Sequence, residues 1–390
     1  MPSLDRWSRR YIATACVFLV VWRAVETPWI PAPTGRSGLT LGMFGFIFTT
    51  VFAKTYTLVP SYYETRVPSP KTAAIQYPLS TAGVVLMSFW NGAVYRTGVY
   101  LWSLGVLVLL STAAWSLRGH VLSGDTGTSS DKPERRKTDF AANIFMPVSY
   151  LYLAAGTLSL VLYGTTAITF HLYGAGSAAL LIYSVGFRLL PRFLAVDTPS
   201  SLVPLVLPSA AVGPGLLAYG FFTGLQENVF KIGALLQSVA AVGFLIGYLW
   251  MFNATERSRV GLYAVLAAFC FSVVGVFLGL YFAFHGYAPG LTRAHSEVNL
   301  LGFLGLTVIG VAYQFYPPAV AGFTGASDRS AAGSVVAIAV GVSLVTVNGL
   351  VPHPWLVTAG TVLSFAGSVV YSYIVVGEFI ERGMLENLTD

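Results

Sequence analysis

Two histidines hold most of the chemistry this sequence can offer. His171 and His295 each stand near the start of a long apolar stretch, five and seven residues ahead of Gly176 and Gly302. Neutral imidazole is a common ligand of haem iron and of copper, and two imidazoles on neighbouring helices of a bundle core can hold one metal or cofactor between them. The alternative for either residue alone is a histidine hydrogen-bonded at a helix start. His120 falls in a polar segment, His353 in a turn before Pro354 and His285 at the end of an apolar stretch, so these three read as solvated. Cys16 and Cys270 are the only cysteines and both lie in apolar stretches, which removes thiolate clusters, a CxxC redox pair and a disulfide scaffold. The sequence also has no P-loop, no Rossmann glycine fingerprint, no His-Glu-x-x-His and no paired nucleophile and base.

The elements that must position the two imidazoles follow from composition. With 55% hydrophobic and 10% charged residues over 390 residues, the chain cannot cover a soluble globule with polar surface. Apolar runs near or above eighteen residues predict spanning helices and exclude the alternating ten-residue strands of a barrel. The predicted fold is an all-α integral membrane protein with twelve transmembrane helices, at about 11–30, 38–60, 73–93, 97–117, 142–165, 167–191, 203–223, 228–252, 260–285, 294–317, 331–352 and 355–377. Three of them align: Gly45 to Pro60, Gly176 to Pro191 and Gly302 to Pro317 share one glycine-to-proline spacing, with Tyr56, Phe187 and Tyr313 four residues before each proline. This predicts three pseudo-repeated four-helix units, about 1–117, 140–252 and 258–380, within a single transmembrane domain.

Basic residues set the expected orientation. With a cytoplasmic N-terminus, the inner side holds Arg6, Arg9, Arg10, Arg66, Lys71, Arg118, Lys132, Arg135, Arg136, Lys137, Arg188, Arg192, Arg257, Arg259, Arg329 and Arg382, and the outer side only Arg36, Arg96, Lys231 and Arg293. Sixteen against four predicts both termini on the cytoplasmic side of the cell membrane. The net charge of +6 then reflects topology and inner-leaflet lipid, and nucleic acid is not an expected partner. The first apolar run continues past Ala13-Thr14-Ala15-Cys16, so it reads as a first span and not as a removable leader. Residues 118–139 read as a flexible cytoplasmic linker between the first two units. Within the spans, Lys54, Arg188 and Arg192 are expected to snorkel to the headgroups, and Arg23 and Glu26 to share a helix face as an ion pair. Gln76, Asn91, Gln237, Asn299 and Gln314 are candidates for hydrogen bonds between helices.

The stretch Arg293-Ala-His295-Ser-Glu297-Val-Asn299-Leu-Leu-Gly302, with Gly310-Val-Ala-Tyr313-Gln-Phe-Tyr-Pro317 after it, resembles the tenth helix of haem-copper oxidase subunit I and of the related NnrS proteins. His171-Leu-Tyr-Gly-Ala-Gly176 sits where the sixth helix of those families falls. The resemblance implies twelve helices in three fours, with metal ligands near the outer ends of helices two, six and ten. It departs from the oxidase pattern in four places: Glu297 replaces a second histidine, Gly38 and Thr40 stand where the second helix would supply one, residues 203–223 hold none, and Ala175 replaces a tyrosine. These departures argue against a proton-pumping terminal oxidase.

What the resemblance implies is therefore one haem, or haem and copper, site between the sixth and tenth helices, in respiratory or nitric-oxide-related physiology with a redox partner. His295 would be the proximal ligand and His171 a second axial or copper ligand. Tyr173, Glu297, Asn299 and Arg293 would orient an imidazole or pair with a propionate. One geometric objection arises at once: with the prolines aligned, His171 and His295 are two residues out of phase, about 200° around an ideal helix, which a rigid alignment would turn away from any shared centre. Two other functions suit the same bundle. One is a small-solute transporter or channel, for which forty glycines would permit a moving bundle, and the other a structural or assembly subunit of a respiratory complex.

Overall fold

The computed structural model describes residues 4–124, 126–128, 133–224 and 227–381; Lys132, Arg382 and residues 125 and 129–131 of the 118–139 segment lie outside the described residues. Among the described residues there is no strand, and twelve long helical stretches follow one another. They are α1 (Leu4–Val25), α2 (Ser37–Tyr62), α3 (Lys71–Phe89), α4 (Gly92–Leu117), α5 (Pro133–Tyr163), α6 (Ala167–Leu194), α7 (Val203–Phe222), α8 (Glu227–Ala254), α9 (Val260–His285), α10 (Pro289–Val320), α11 (Asp328–Leu350) and α12 (Pro354–Glu381). Ten of these are long and apolar enough to cross a membrane. Asp5, Arg6, Arg9, Arg10 and Arg23 keep α1 short of that composition, and polar residues such as Gln76 and Ser80 do so for α3. Apolar side chains such as Leu107, Leu158, Ile246 and Val336 point outward and suit a lipid surround.

The burial of the spans sorts them into a centre and a rim. α2, α10 and α6 are 83%, 78% and 61% buried over their apolar windows, whereas the other seven lie between 28% and 44%. These three central helices are the ones that share the glycine-to-proline spacing. Each also widens from α- to π-helix for eight residues, at Leu41–Phe48, Leu172–Ala179 and Val298–Gly305, and each π stretch begins nineteen residues before Pro60, Pro191 or Pro317. π-Helix is rare, and where it occurs it commonly marks a functional site.

The aligned glycine lies inside each π stretch for a steric reason. A methyl group on Gly45 would fall 2.8 Å from the ring of Phe18 on α1, one on Gly176 2.5 Å from the ring of Tyr152 on α5, and one on Gly302 2.9 Å from the ring of Phe271 on α9. In all three cases an aromatic from the preceding helix in the chain is seated on the widened turn. Small residues recur again where the outer helices pair, since Gly83 meets Gly98 (α3 and α4), Gly213 meets Gly233 (α7 and α8) and Gly341 meets Gly360 (α11 and α12). Such backbone approach replaces the hydrophobic driving force that lipid does not provide between helices. The helix does not stop at the proline in every case: α2 runs on to Tyr62 and α6 to Leu194, and only α10 breaks at Tyr316 and Pro317.

Between α2, α4, α5 and α6 the core is aromatic. Phe44 and Phe48 meet the ring of Tyr173 edge-on at 4.9 and 5.1 Å, and Trp102 Nε1 donates to the Tyr173 hydroxyl at 2.9 Å. Edge-to-face pairs of this kind add about 0.5–1.5 kcal/mol each beyond the area they bury.

At the proline end of the bundle two expectations are corrected. Arg188 does not snorkel: it is 2% exposed, and its guanidinium donates to Asn143 Oδ1, to the carbonyl of Tyr62 at 3.0 Å and to that of Thr126 at 2.5 Å. Its charge is met by the fully buried Asp139 of α5, 3.7 Å from Nε, and Arg192 Nη2 reaches the same carboxylate at 2.7 Å. Nor is the 118–139 segment a free linker throughout. Thr126 is buried under Arg188, Gly127 donates its N–H to Glu64 at 2.8 Å, and Thr128 donates its hydroxyl to Asp139. The carboxylate sits on α5 and the guanidinium on α6, so the pair forms only in three dimensions.

Breaking a buried pair from one side leaves an uncompensated charge and costs about 3–5 kcal/mol. Asp139→Ala is therefore expected to lower the thermal unfolding midpoint of the detergent-purified protein sharply. Glu134→Ala, which removes an exposed partner of Lys137, is expected to leave it unchanged. Equal midpoints for Asp139→Ala and the unmodified protein would refute the clamp.

Candidate functional site

α6 and α10 bring His171 and His295 together. Their ring centres are 6.2 Å apart and their planes differ by 19°. The 200° offset in register does not separate them, because helices that neighbour each other around a common centre meet through opposite flanks, so residues at non-equivalent positions face each other. Both rings are partly buried, with Phe221 of α7 4.8 Å from the His171 ring and Phe282 of α9 5.6 Å from that of His295.

The hydrogen bonds fix what each ring can do. His171 Nδ1 lies 2.8 Å from the carbonyl oxygen of Ala167, one turn back on its own helix. His295 Nδ1 lies 3.1 Å from the carbonyl oxygen of Gly275 on α9. A carbonyl only accepts, so the bonds to Ala167 and Gly275 are made with Nδ1 as the donor, in the tautomer that leaves each Nε2 a lone pair. Asn299 sits one turn below His295 and donates to its backbone carbonyl at 2.8 Å, with its amide nitrogen 3.3 Å from Nδ1. No protein group among the described residues hydrogen-bonds to either Nε2. An imidazole whose Nδ1–H is tied to a carbonyl and whose Nε2 is open has the arrangement that metal-ligating histidines adopt.

Glycine makes the room for this. Gly275 and Gly279 stand four apart on α9; a methyl on Gly279 would come within 3.3 Å of His295 Cε1, and one on Gly275 would strike the Asn299 amide. The sequence reading passed over both, as it did Phe221 and Phe282. The small-xxx-small spacing of Gly275 and Gly279 is the signal that could have found the first two; the phenylalanines carry none.

The remaining candidates are placed elsewhere. Tyr173 is fully buried and its hydroxyl is shared between Trp102 and Thr157, the latter at 2.7 Å, so it belongs to the aromatic core between α2 and α5. Glu297 meets Arg23 of α1 at 2.9 Å, with Arg23 fully buried and Glu297 8% exposed. Arg293 reaches Glu26 at 3.3 Å in a partly exposed pair. The expected Arg23–Glu26 pair on one face of α1 is thus corrected: both residues reach across to α10 instead, since each finds an opposite charge there. Trp22 fills the gap next to them against Gly42 of α2, and Gly38 packs on the Glu26 carboxylate. The place where the resemblance would put a second haem, between α2 and α10, is occupied by this double ion pair and an indole.

No family model matches this sequence, and a search of the curated proteins finds no match. Among the described residues no third histidine, cysteine or carboxylate joins the pair in a metal-holding group, so a metal here would take two protein ligands.

Removing one half of the α1–α10 pair should show its structural role. Glu297→Leu, which strands Arg23, is expected to destabilise by about 3–5 kcal/mol, and Arg23→Met with Glu297→Leu to recover most of that loss. Thermal unfolding of the two variants checks this, and a double variant no more stable than the single one would contradict it.

Proposed function

We propose that this chain is a multi-pass membrane protein that holds a metal centre, haem iron or copper, between His171 and His295, on three pseudo-repeated four-helix units of the haem-copper oxidase and NnrS type. The observation that carries the reading is the imidazole pair, parallel to within 19° with both Nε2 atoms open. Two neutral imidazoles that approach each other closely are a donor set that haem iron or copper would accept. The 6.2 Å separation fits that donor set. The repeat is supported by the common register of the three π stretches, their three glycine–aromatic contacts and the three glycine-paired outer hairpins.

In this reading His295 and His171 would hold the group, either one metal between them or haem iron at His295 and copper at His171. Asn299 and the Gly275 carbonyl orient His295, the Ala167 carbonyl orients His171, and Phe221 and Phe282 pack against the rings. Arg293 and Glu297 already hold partners and act through the scaffold. A bis-imidazole metal supplies one-electron redox chemistry. The asymmetry of basic residues favours a site near the outer face of the cell membrane, and the resemblance favours respiratory or nitric-oxide-related physiology with a redox partner.

Protein expressed with haem supplied is expected to show a Soret band with reduced-state bands of a six-coordinate haem, and stoichiometric iron. His171→Ala and His295→Ala, each eluting as a single species, should lose the bis-histidine spectrum. Neither iron nor copper bound, with no Soret band, would overturn the proposal. A small-solute transporter is the second reading, favoured by a cavity of about 130 Å³ among α2, α6 and α10. Solute flux in proteoliposomes that survives the double histidine variant would select it.

A further inference from the structure

That cavity lies on the proline-end side of the π stretches and is walled by apolar side chains, among them Val51, Leu181, Val185 and Val308. Its size is close to the roughly 150 Å³ of an engineered apolar cavity that takes up benzene. One charged residue lines it, Lys54 of α2. Lys54 was expected to carry its ammonium to the headgroups, yet Nζ lies 4.1 Å from the centre of the Phe315 ring and 3.4 Å from the Tyr316 hydroxyl. Cation–π contact and a long bond to a neutral hydroxyl solvate an ammonium only in part.

The other two cations set deep in this bundle show what is missing. Arg23 has Glu297 and Arg188 has Asp139, each on a neighbouring helix and within 4 Å. Among the described residues no carboxylate lies within 4 Å of Lys54, and Asp5, whose charge reaches it from farther off, is opposed by Arg9. A cation in low dielectric is stabilised by a close opposite charge, and among the described residues no carboxylate makes such a close pair with Lys54. Thr50, Thr55 and Thr307 add hydroxyls to an otherwise apolar wall.

We infer that the cavity is a binding site for a hydrophobic monocarboxylate, its carboxylate paired with Lys54 and its apolar body among Leu181, Val185 and Val308. This site is separate from the histidine pair, and its assignment stands or falls independently of the metal. The chemistry is shared by a small soluble acid and by a membrane fatty acid.

Equilibrium dialysis of the purified full-length protein against labelled benzoate and decanoate, with benzyl alcohol and decanol as neutral matches and protein-free micelles subtracted, tests it. Saturable binding near one per chain is expected, at least tenfold tighter for acid than for alcohol. Lys54→Met should erase that preference while leaving alcohol binding in place, Lys54→Arg should retain it, and Val185→Phe should weaken acid and alcohol alike. Preference for benzoate assigns a soluble ligand, and preference for decanoate a membrane-derived one. Acid and alcohol bound equally by the unmodified protein, or Lys54→Met unchanged in its preference, would overturn the inference, as would binding that never saturates.

Discussion

The contact between an aromatic ring and a glycine on a widened turn governs much of this bundle. Phe18, Tyr152 and Phe271 each occupy the space that a side chain at Gly45, Gly176 or Gly302 would need. Lipid is as apolar as leucine, so close approach and interlocking shape do the work that hydrophobic exclusion does in water. Bringing α1, α5 and α9 onto α2, α6 and α10 in this way leaves the three central helices near one another, with the cavity among them and the histidine pair in the gap between α6 and α10.

Charge inside the bundle follows a second rule for the two deep arginines, each of which is answered from another helix. Arg23 and Arg188 are tied to α10 and α5, so these pairs act as cross-braces at opposite ends of the structure. Such pairs add little net stability over a well-packed apolar core, but they fix which helices touch and in what register. At the histidine end the Arg23–Glu297 and Arg293–Glu26 pairs close the gap between α1 and α10 and leave the α6–α10 gap as the one lined by imidazole.

Composition and span length made the helical membrane class legible, and the shared glycine-to-proline spacing picked out the three most buried helices. Local pattern could reach that far because apolar length and helix-breaking residues act within one segment. It could not show that Asp139, two residues past the last basic residue of a charged run, turns inward to meet Arg188, or that Arg23 looks past its neighbour Glu26 to another helix. Those are choices between partners remote in sequence. The π stretches were equally hidden: the glycine that permits them was visible, but the aromatic that requires the glycine comes from a different helix.

The histidine pair shows why equivalence along the chain is a poor guide to meeting in space. If three helices are related by rotation about a common centre, the flank each presents to the next differs from the flank it presents to the last, so a contact between two of them joins unlike positions. Two histidines at like positions would have pointed in directions a third of a turn apart. Their two-residue difference lets His171 turn toward α10 and His295 toward α6 with planes nearly parallel. The backbone carbonyls of Ala167 and Gly275, one from the histidine's own helix and one from its neighbour, then hold the rings with the free nitrogens unclaimed.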